Sequence, residues 1–221
     1  MPISAIEPCK AIEPLYADAT LLVFDKPSGL LAVPGRGADK QDCLSARVQA
    51  CYPDALIVHR LDMATSGLMV MARGAAAQRA LSKAFAAREV DKRYIAVVSG
   101  RLEEPPEDWG VIDLPIIVDW PSRPLRIVDH QLGKPSLTRW RVLGYDETGT
   151  CTRVELEPIT GRSHQLRVHL RALGHPILGD ALYAPPDVQA RANRLLLHAG
   201  SLGFVHPVTG ERLLFDCPVP F

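Results

Sequence analysis

The sequence predicts an α+β fold built on a mostly antiparallel sheet. Segments with strand alternation outnumber those with helical periodicity. The two kinds do not alternate regularly, as βαβ units feeding a parallel sheet would. Neighbouring strand segments are joined by short polar turns at Asp146-Glu147-Thr148-Gly149 and at Pro207–Gly210, as hairpins require.

Residues 1–20 read as an irregular arm, because Pro2, Pro8 and Pro14 deny it a helix. Leu21–Asp25 is a short apolar strand, ended by Lys26-Pro27-Ser28-Gly29 and the Pro34-Gly35-Arg36-Gly37 loop. Gln41–Cys51 carries Leu44, Val48 and Cys51 at helical spacing and stops at Pro53. Gly67–Ala72 is a buried strand, Ala75–Glu89 a helix and Arg93–Val98 an alternating strand. Arg101–Asp119, rich in proline and acid, reads as a surface excursion with one strand near Val111–Leu114. Leu137–Tyr145 and Thr152–Pro158 alternate as two strands. His164–Leu173 then sets Leu166, Leu170 and Leu173 on one helical face, with Gly174 and Pro176 as the stop. Leu195–His198, Leu202–His206 and Arg212–Cys217 supply the last strands.

With 221 residues and 47% hydrophobic content, the chain can bury a core of its own. No stretch approaches the ~18 consecutive apolar residues of a membrane span, and the first residues lack the apolar centre of a signal peptide. Five scattered cysteines, with no Cys-x-x-Cys pair, argue against a disulfide framework and for a reducing compartment, here the cytoplasm. The seven histidines show no metal-ligand spacing, so neither metal nor cofactor is expected. The formal net charge is zero, but the charge is unevenly spread. Arg123, Arg126, Lys134, Arg139 and Arg141 face the single acid Asp129 between residues 121 and 141, and 162–171 holds three arginines, two histidines and no acid. Arginine favours bidentate phosphate contacts, which tilts the partner toward nucleic acid.

The most informative stretch is His59-Arg60-Leu61-Asp62-Met63-Ala64-Thr65-Ser66-Gly67, running into the apolar Leu68–Ala72. An arginine two residues before Asp62 favours its ionised form, and a fixed carboxylate suits nucleophilic or general-base chemistry. The same residues are ordinary turn formers. A kinase loop is excluded, because the order is His-Arg-Leu-Asp, residue 67 is Gly, and no Gly-rich loop or Asp-Phe-Gly exists. No Gly-x-Ser-x-Gly elbow supports a serine hydrolase. Arg167 falls in the first turn of its helix, where the dipole prefers anions; holding a carboxylate or phosphate would explain a cation there.

The longer pattern resembles the RluA-type pseudouridine synthases, in which His-Arg-Leu-Asp carries the single catalytic aspartate. Lys26-Pro27-Ser28-Gly29-Leu30 resembles that family's early loop, and Lys92-Arg93-Tyr94-Ile95-Ala96 its tyrosine-bearing strand. Thr160-Gly161-Arg162-Ser163-His164-Gln165-Leu166-Arg167-Val168-His169 resembles its arginine motif, and Gly174–Asp180 the segment that follows. The resemblance runs in family order from Leu21 to Phe221. It implies the pseudouridine-synthase fold, a long mixed, mostly antiparallel sheet flanked by helices and loops with a cleft across its middle, and a single catalytic domain over residues 21–221. The S4-type domain of larger relatives has no room before Lys26.

For the site the resemblance implies Asp62 as catalytic aspartate, Tyr94 packing on the target base and assisting at C5, and Arg167 pairing with the aspartate. Arg60 would contact RNA near the flipped-out nucleotide. His59, Arg123, Arg162, His164 and Gln165 are further expected RNA contacts. The reaction would be isomerisation of uridine to pseudouridine in RNA by a monomer. Attack at C1′, addition to the pyrimidine and removal of the 2′ proton all stay open. Met63-Ala64 and the stretches Asp113–Pro115 and Asp119–Pro124 resemble the short dual-specificity subgroup. That implies uridine 32 of a tRNA anticodon loop and uridine 746 of a 23S rRNA hairpin. The rival classes are a non-catalytic RNA-binding module and a carboxylate-dependent glycoside hydrolase. The latter usually needs two flanking carboxylates, and no second acid sits in a comparable motif.

Overall fold

The protein is described by a computed structural model covering residues 12–221. Its strands and helices follow in chain order: β1 (Tyr16–Ala17), β2 (Leu21–Lys26), α1 (Leu44–Cys51), β3 (Ala55–Ile57), β4 (Ser66–Arg73), α2 (Ala75–Ala87) and β5 (Asp91–Ser99). Then come β6 (Gly110–Asp113), β7 (Ile116–Val118), β8 (Arg126–Val128), β9 (Leu137–Tyr145), β10 (Cys151–Pro158), α3 (Gln165–Ala172), α4 (Pro186–Gln189), β11 (Leu197–Val205) and β12 (Arg212–Asp216). Ten strands join in one sheet along the path β1-β2-β4-β11-β5-β10-β9-β6, with β3 on β4 and β12 on β11; β7 and β8 form a separate hairpin. Among the described residues, the one parallel pairing between strands of the large sheet is β4 with β11, where Ser66 and Gly67 face His198 and Ala199. The α+β, mostly antiparallel architecture predicted from the sequence is the one observed.

Burial explains the strand sequences. All of β4 but its last residue is buried, because both faces are covered, and such strands read as continuous apolar runs. Leu68, Val70 and Ala72 join Ala77 and Leu81 of α2 in one core, while Met69 and Met71 join Leu44 and Val48 of α1 in another. Strand β10 has only one packed face. Thr152, Val154 and Leu156 point into the core, and Arg153, Glu155 and Glu157 point away. Gly67 marks the closest approach of two strands: a Cβ there would lie 2.3 Å from the Ala199 carbonyl oxygen, and its φ of 114° also favours glycine.

Four readings change. Residues 16–17, assigned to the arm, pair with β2; residues 1–11 of that arm lie outside the described ones. The two strands read at 195–198 and 202–206 are one strand, β11, with an irregularity between Ala199 and Ser201 that keeps the ladder going past Gly200. The surface excursion read with one strand holds a second, β7, which pairs with β8 as a hairpin in the proline-rich stretch between β6 and β9. The third helix begins at Gln165 rather than His164, which caps it in a left-handed conformation. Among the described residues, no helix is long and apolar enough to cross a membrane, and Cys43, Cys51, Cys151 and Cys217 are free.

Candidate active site

Asp62 lies in the loop between β3 and β4, closed by a bond from the Thr65 amide to the Asp62 carbonyl at 3.1 Å. The early Lys-Pro-Ser-Gly-Leu loop, at the end of β2, clamps the two residues after it. Lys26, fully buried, donates from Nζ to the carbonyls of Pro27, Leu30 and Met63 at 2.8, 2.8 and 3.1 Å. Ser28 Oγ donates to the Ala64 carbonyl at 2.7 Å, and the Gly29 amide to that of Met63 at 2.8 Å. Burial draws the Lys26 ammonium down to about 8, and the Asp62 charge acts against that fall. The motif therefore holds the loop that presents Asp62; sequence reading recognised it without assigning it a task.

Arg167, in the first turn of α3, is 4% exposed. Its Nη1 lies 3.5 Å from Asp62 Oδ2. Its other two nitrogens grip Asp180 in a fork: Nε to Oδ2 at 2.8 Å and Nη2 to Oδ1 at 2.6 Å. Asp180, itself 1% exposed, also accepts the amides of Leu182 and Tyr183. The expected carboxylate partner of Arg167 is thus two carboxylates, and the tighter one is a residue that sequence reasoning left without a role. The sequence signal that could have found it is its place at the end of the Gly174–Asp180 segment, the last of the matched motifs.

Tyr94 projects from β5 between two hydrophobic clusters and lines the same cleft as Asp62. Burial, with Asp62 adding to it, pushes its hydroxyl well above the ordinary tyrosine value, so it rests as a neutral phenol. His164, in the left-handed conformation (φ 59°), has Nδ1 2.6 Å from the Tyr183 hydroxyl and Nε2 3.9 Å from Asp62 Oδ1.

The cleft has a volume of about 510 Å³, within the ~300–1,000 Å³ usual for small-molecule sites. Among the described residues, Arg60, Arg88, Lys92, Arg162 and Arg167 line it against the single acid Asp62, so its field favours a polyanion. Arg60 is exposed and reaches Ser163 Oγ across the cleft at 3.2 Å. Arg162 is exposed on the opposite wall.

Three expected RNA contacts are placed otherwise. Gln165 is 3% exposed and spends its amide internally. Its Oε1 accepts from Thr160 Oγ1 and the Arg162 amide, and its Nε2 donates to the Leu137 carbonyl and Thr138 Oγ1. It ties α3 to β9 and has no polar atom left for RNA. Arg123 sits outside the cleft lining, folded over Trp120 with its guanidinium 4.6 Å from the ring. His59 lines the cleft wall, but its ring stacks on Phe85 at 4.4 Å and Nε2 accepts the Val70 amide. The basic cluster at 121–141 also divides. In the β9–β10 register Arg141 faces Glu155 and Arg139 faces Glu157, with salt bridges of 2.5 and 2.8 Å. Those arginines are neutralised by acids that lie 14 and 18 residues away in sequence.

His59 makes the fold acid-sensitive. Burial, with Lys92 adding to it, draws its imidazole down to about 3. The folded value lies below the unfolded ~6.5, so its stabilising contribution is full above about pH 6.5 and is lost as pH falls toward 3. One such proton gives a slope of up to ~1.4 kcal/mol per pH unit. His59→Gln keeps an acceptor for the Val70 amide without a titrating ring. Its denaturant midpoint is expected to fall less steeply than the parent's between about pH 6.5 and 4; parallel slopes would remove His59 from the acid response.

Outside the cleft, Asp25, His198 and Cys217 bring a carboxylate, an imidazole and a thiol within 4.8 Å of one another. Both imidazole nitrogens are already engaged, with Cys217 Sγ at 3.0 Å and Ser66 Oγ at 2.8 Å.

A sheet crossed by a cation-lined cleft, with one arginine-held aspartate and a tyrosine beside it, is the architecture of enzymes that rearrange a nucleotide within RNA. The family model described as RNA pseudouridylate synthase matches residues 20–172, and the chain belongs to that family. Among curated proteins it is 51% identical to the dual-specificity RNA pseudouridine synthase RluA of Yersinia pestis, over 94% of this chain and 98% of that one. The RluA of Escherichia coli (strain K12) is also 51% identical, over 94% of this chain and 93% of its own. Human RNA pseudouridylate synthase domain containing 1 superimposes with a TM-score of 0.77 at 30% identity, covering 98% of this chain and 87% of that structure. The human domain containing 4 does so at 0.74 and 28%, covering 94% and 88%.

Proposed function

We propose that this chain isomerises uridine to pseudouridine within structured RNA, acting on both a tRNA anticodon loop and a 23S rRNA hairpin, at uridines 32 and 746 as the motif resemblance implies. The observation that carries the chemistry is Asp62 facing Arg167, in a cleft whose other charged lining is all cationic. The dual substrate rests on the 51% identity to enzymes described as dual-specificity. Residues 21–221 act as one catalytic domain, working as a monomer in a reducing, cytoplasmic setting without metal or cofactor.

In the reaction the N1–C1′ bond breaks, the uracil turns, and C5 bonds to C1′. The proton lost from C5 is balanced by one gained at N1, so atoms and electrons are conserved without an oxidant or energy source. The nucleotide must leave its stack to reach Asp62. Arg60 and Arg162, exposed at the cleft mouth, support binding of a distorted loop backbone rather than a regular helix. Tyr94, as a neutral phenol, supports packing and hydrogen-bond donation to the extruded base; it is not a resting base for the C5 proton. A single carboxylate lining the cleft among the described residues weighs against a two-carboxylate hydrolase.

The test incubates the protein with unmodified tRNA and a 23S hairpin and maps new pseudouridines by carbodiimide primer extension. Modification of both is expected. Modification of one withdraws the dual assignment and keeps the enzyme. Release of free uracil points to hydrolysis, and tight binding without modification to a binding module.

A further inference from the structure

We propose that His164 is a positioning residue for Asp62: a neutral imidazole, with its tautomer chosen by Tyr183, whose Nε2–H holds one oxygen of the reactive carboxylate while Arg167 holds the other. This rests on Asp62 being the reactive group.

The backbone is the first observation. Among the described residues only Arg88 and His164 have positive φ without being glycine. Arg88 is exposed and ends α2, where a left-handed cap is ordinary. His164 immediately precedes α3, and its side chain does not cap the helix. A residue with a Cβ in this conformation costs roughly 1–2 kcal/mol, which glycine avoids. The chain keeps an imidazole where glycine would be easier to accommodate, and backbone cost of this kind collects at functional sites.

The second observation is where the ring's two nitrogens go. The Tyr183 hydroxyl oxygen accepts the Arg126 amide at 2.9 Å. The ring is 4% exposed, so the hydroxyl proton needs an acceptor inside the protein, and His164 Nδ1 is 2.6 Å away. Tyr183 therefore donates to Nδ1, and the one proton of the neutral imidazole sits on Nε2. Burial is the main cause that holds the imidazole below its ordinary value; Arg167 and Arg126 act in the same direction, and Asp62 and Asp180 act against it. Nε2 faces Asp62 Oδ1 at 3.9 Å while Arg167 Nη1 faces Oδ2 at 3.5 Å. Both donors come from the same turn at the start of α3, three residues apart, and each meets a different oxygen. The gaps are longer than hydrogen bonds and need to close by less than about 1 Å, as catalytic contacts do when substrate fills a site. A carboxylate held at both oxygens cannot rotate away from its target, and orientation of that kind is worth orders of magnitude in rate. A neutral donor fixes it without neutralising it. His164, 14% exposed and with Nδ1 occupied, is poorly placed as a phosphate contact, which is the role its sequence motif suggested.

Single-turnover rates and RNA affinity, measured with an anticodon stem-loop RNA, separate the possibilities. His164→Leu fills the space without a donor and is expected to lower the saturating rate by about 30- to 100-fold, with Kd within ~2-fold. His164→Gln, whose amide N–H reaches the Nε2 position, is expected within ~5-fold of the parent. Tyr183→Phe, which frees the tautomer, is expected to lose ~5- to 10-fold. His164→Asn is the discriminating control. Asparagine tolerates the left-handed conformation better than other substitutes, but its amide lies at the Nδ1 position. A role confined to the backbone predicts Asn at least as active as Gln; positioning predicts Gln above Asn, and this comparison holds even if the Leu variant fails to fold. A raised Kd with unchanged rate would make His164 an RNA contact and overturn the proposal, as would equal damage in Leu and Gln or none in Leu. Asp62→Asn in the same assay keeps the underlying reading separate: turnover by that variant would remove Asp62 as the reactive group, whatever the His164 variants do.

Discussion

Asp62→Asn is expected to lower pseudouridine formation by about 10³-fold or more while leaving RNA affinity within ~3-fold. The amide is nearly the same shape, so the clamp from Lys26, Ser28 and Gly29 onto Met63 and Ala64 has no reason to change. What disappears is the one carboxylate among the described residues that line the cleft. Nothing nearby replaces it: Asp180 is buried and occupied by Arg167 and two backbone amides. Binding depends on the lining cations, all of which remain, and loss of a negative charge beside them can only help a polyanion. A variant that bound RNA and modified it at near-parental rate would disprove the assignment. One that lost binding would show that Asp62 shapes the cleft rather than the chemistry.

Asp180→Ala is expected to cause the largest loss of stability of any change at the site, about 3–5 kcal/mol. The reason is the charge left behind. Arg167 is 4% exposed and its fork fits Asp180 with two short bonds, whereas Asp62 is 3.5 Å away from the remaining nitrogen. Removing Asp180 strands a guanidinium in the interior, next to the Tyr183 ring at 4.9 Å. For a chain of this length the loss corresponds to a fall in Tm of roughly 6–20 °C. Released from its anchor, Arg167 would also swing toward Asp62 or the cleft, so activity at a permissive temperature is expected to fall as well. Asp180→Asn, able to accept but not to balance the charge, should lie between. A Tm within about 2 °C of the parent for Asp180→Ala would show that water reaches Arg167 and that the pair contributes little.

Several of the site's parts were legible in the sequence and others could not be. The motifs around Lys26, Asp62, Tyr94 and Arg167 stood out because each packs chemistry-bearing residues into a few consecutive positions. Gln165 and His164 stand in the same run as Arg167 and were read as RNA contacts, while Arg167 was read as the partner of the aspartate. The structure separates the three by where their polar atoms point. Gln165 spends its amide on β9 and its own loop, His164 turns to Tyr183 and Asp62, and Arg167 turns to Asp180 and Asp62. The basic stretch from 121 to 141 misled for a similar reason. Net charge counted along the chain misses Glu155 and Glu157, which only the β9–β10 register sets beside Arg141 and Arg139. Arg123, counted in the same stretch, folds back on Trp120 instead of reaching the cleft.

By itself the sequence determined the kind and approximate extent of most elements. Side-chain periodicity is a local consequence of which face is wet: Leu68–Ala72 is apolar throughout because β4 is covered on both sides, and β10 alternates because it is covered on one. Motif order also carried the class of enzyme. The tertiary structure alone decided which strands adjoin and hence which side chains meet. The path β2-β4-β11-β5 carries Tyr94 to the loop bearing Asp62, and the helix after β10 brings Arg167 to both, 105 residues along the chain from the aspartate it faces. Partners so far apart leave no local pattern, because their attraction is felt only once burial has removed water and made each buried polar atom find a partner within the protein.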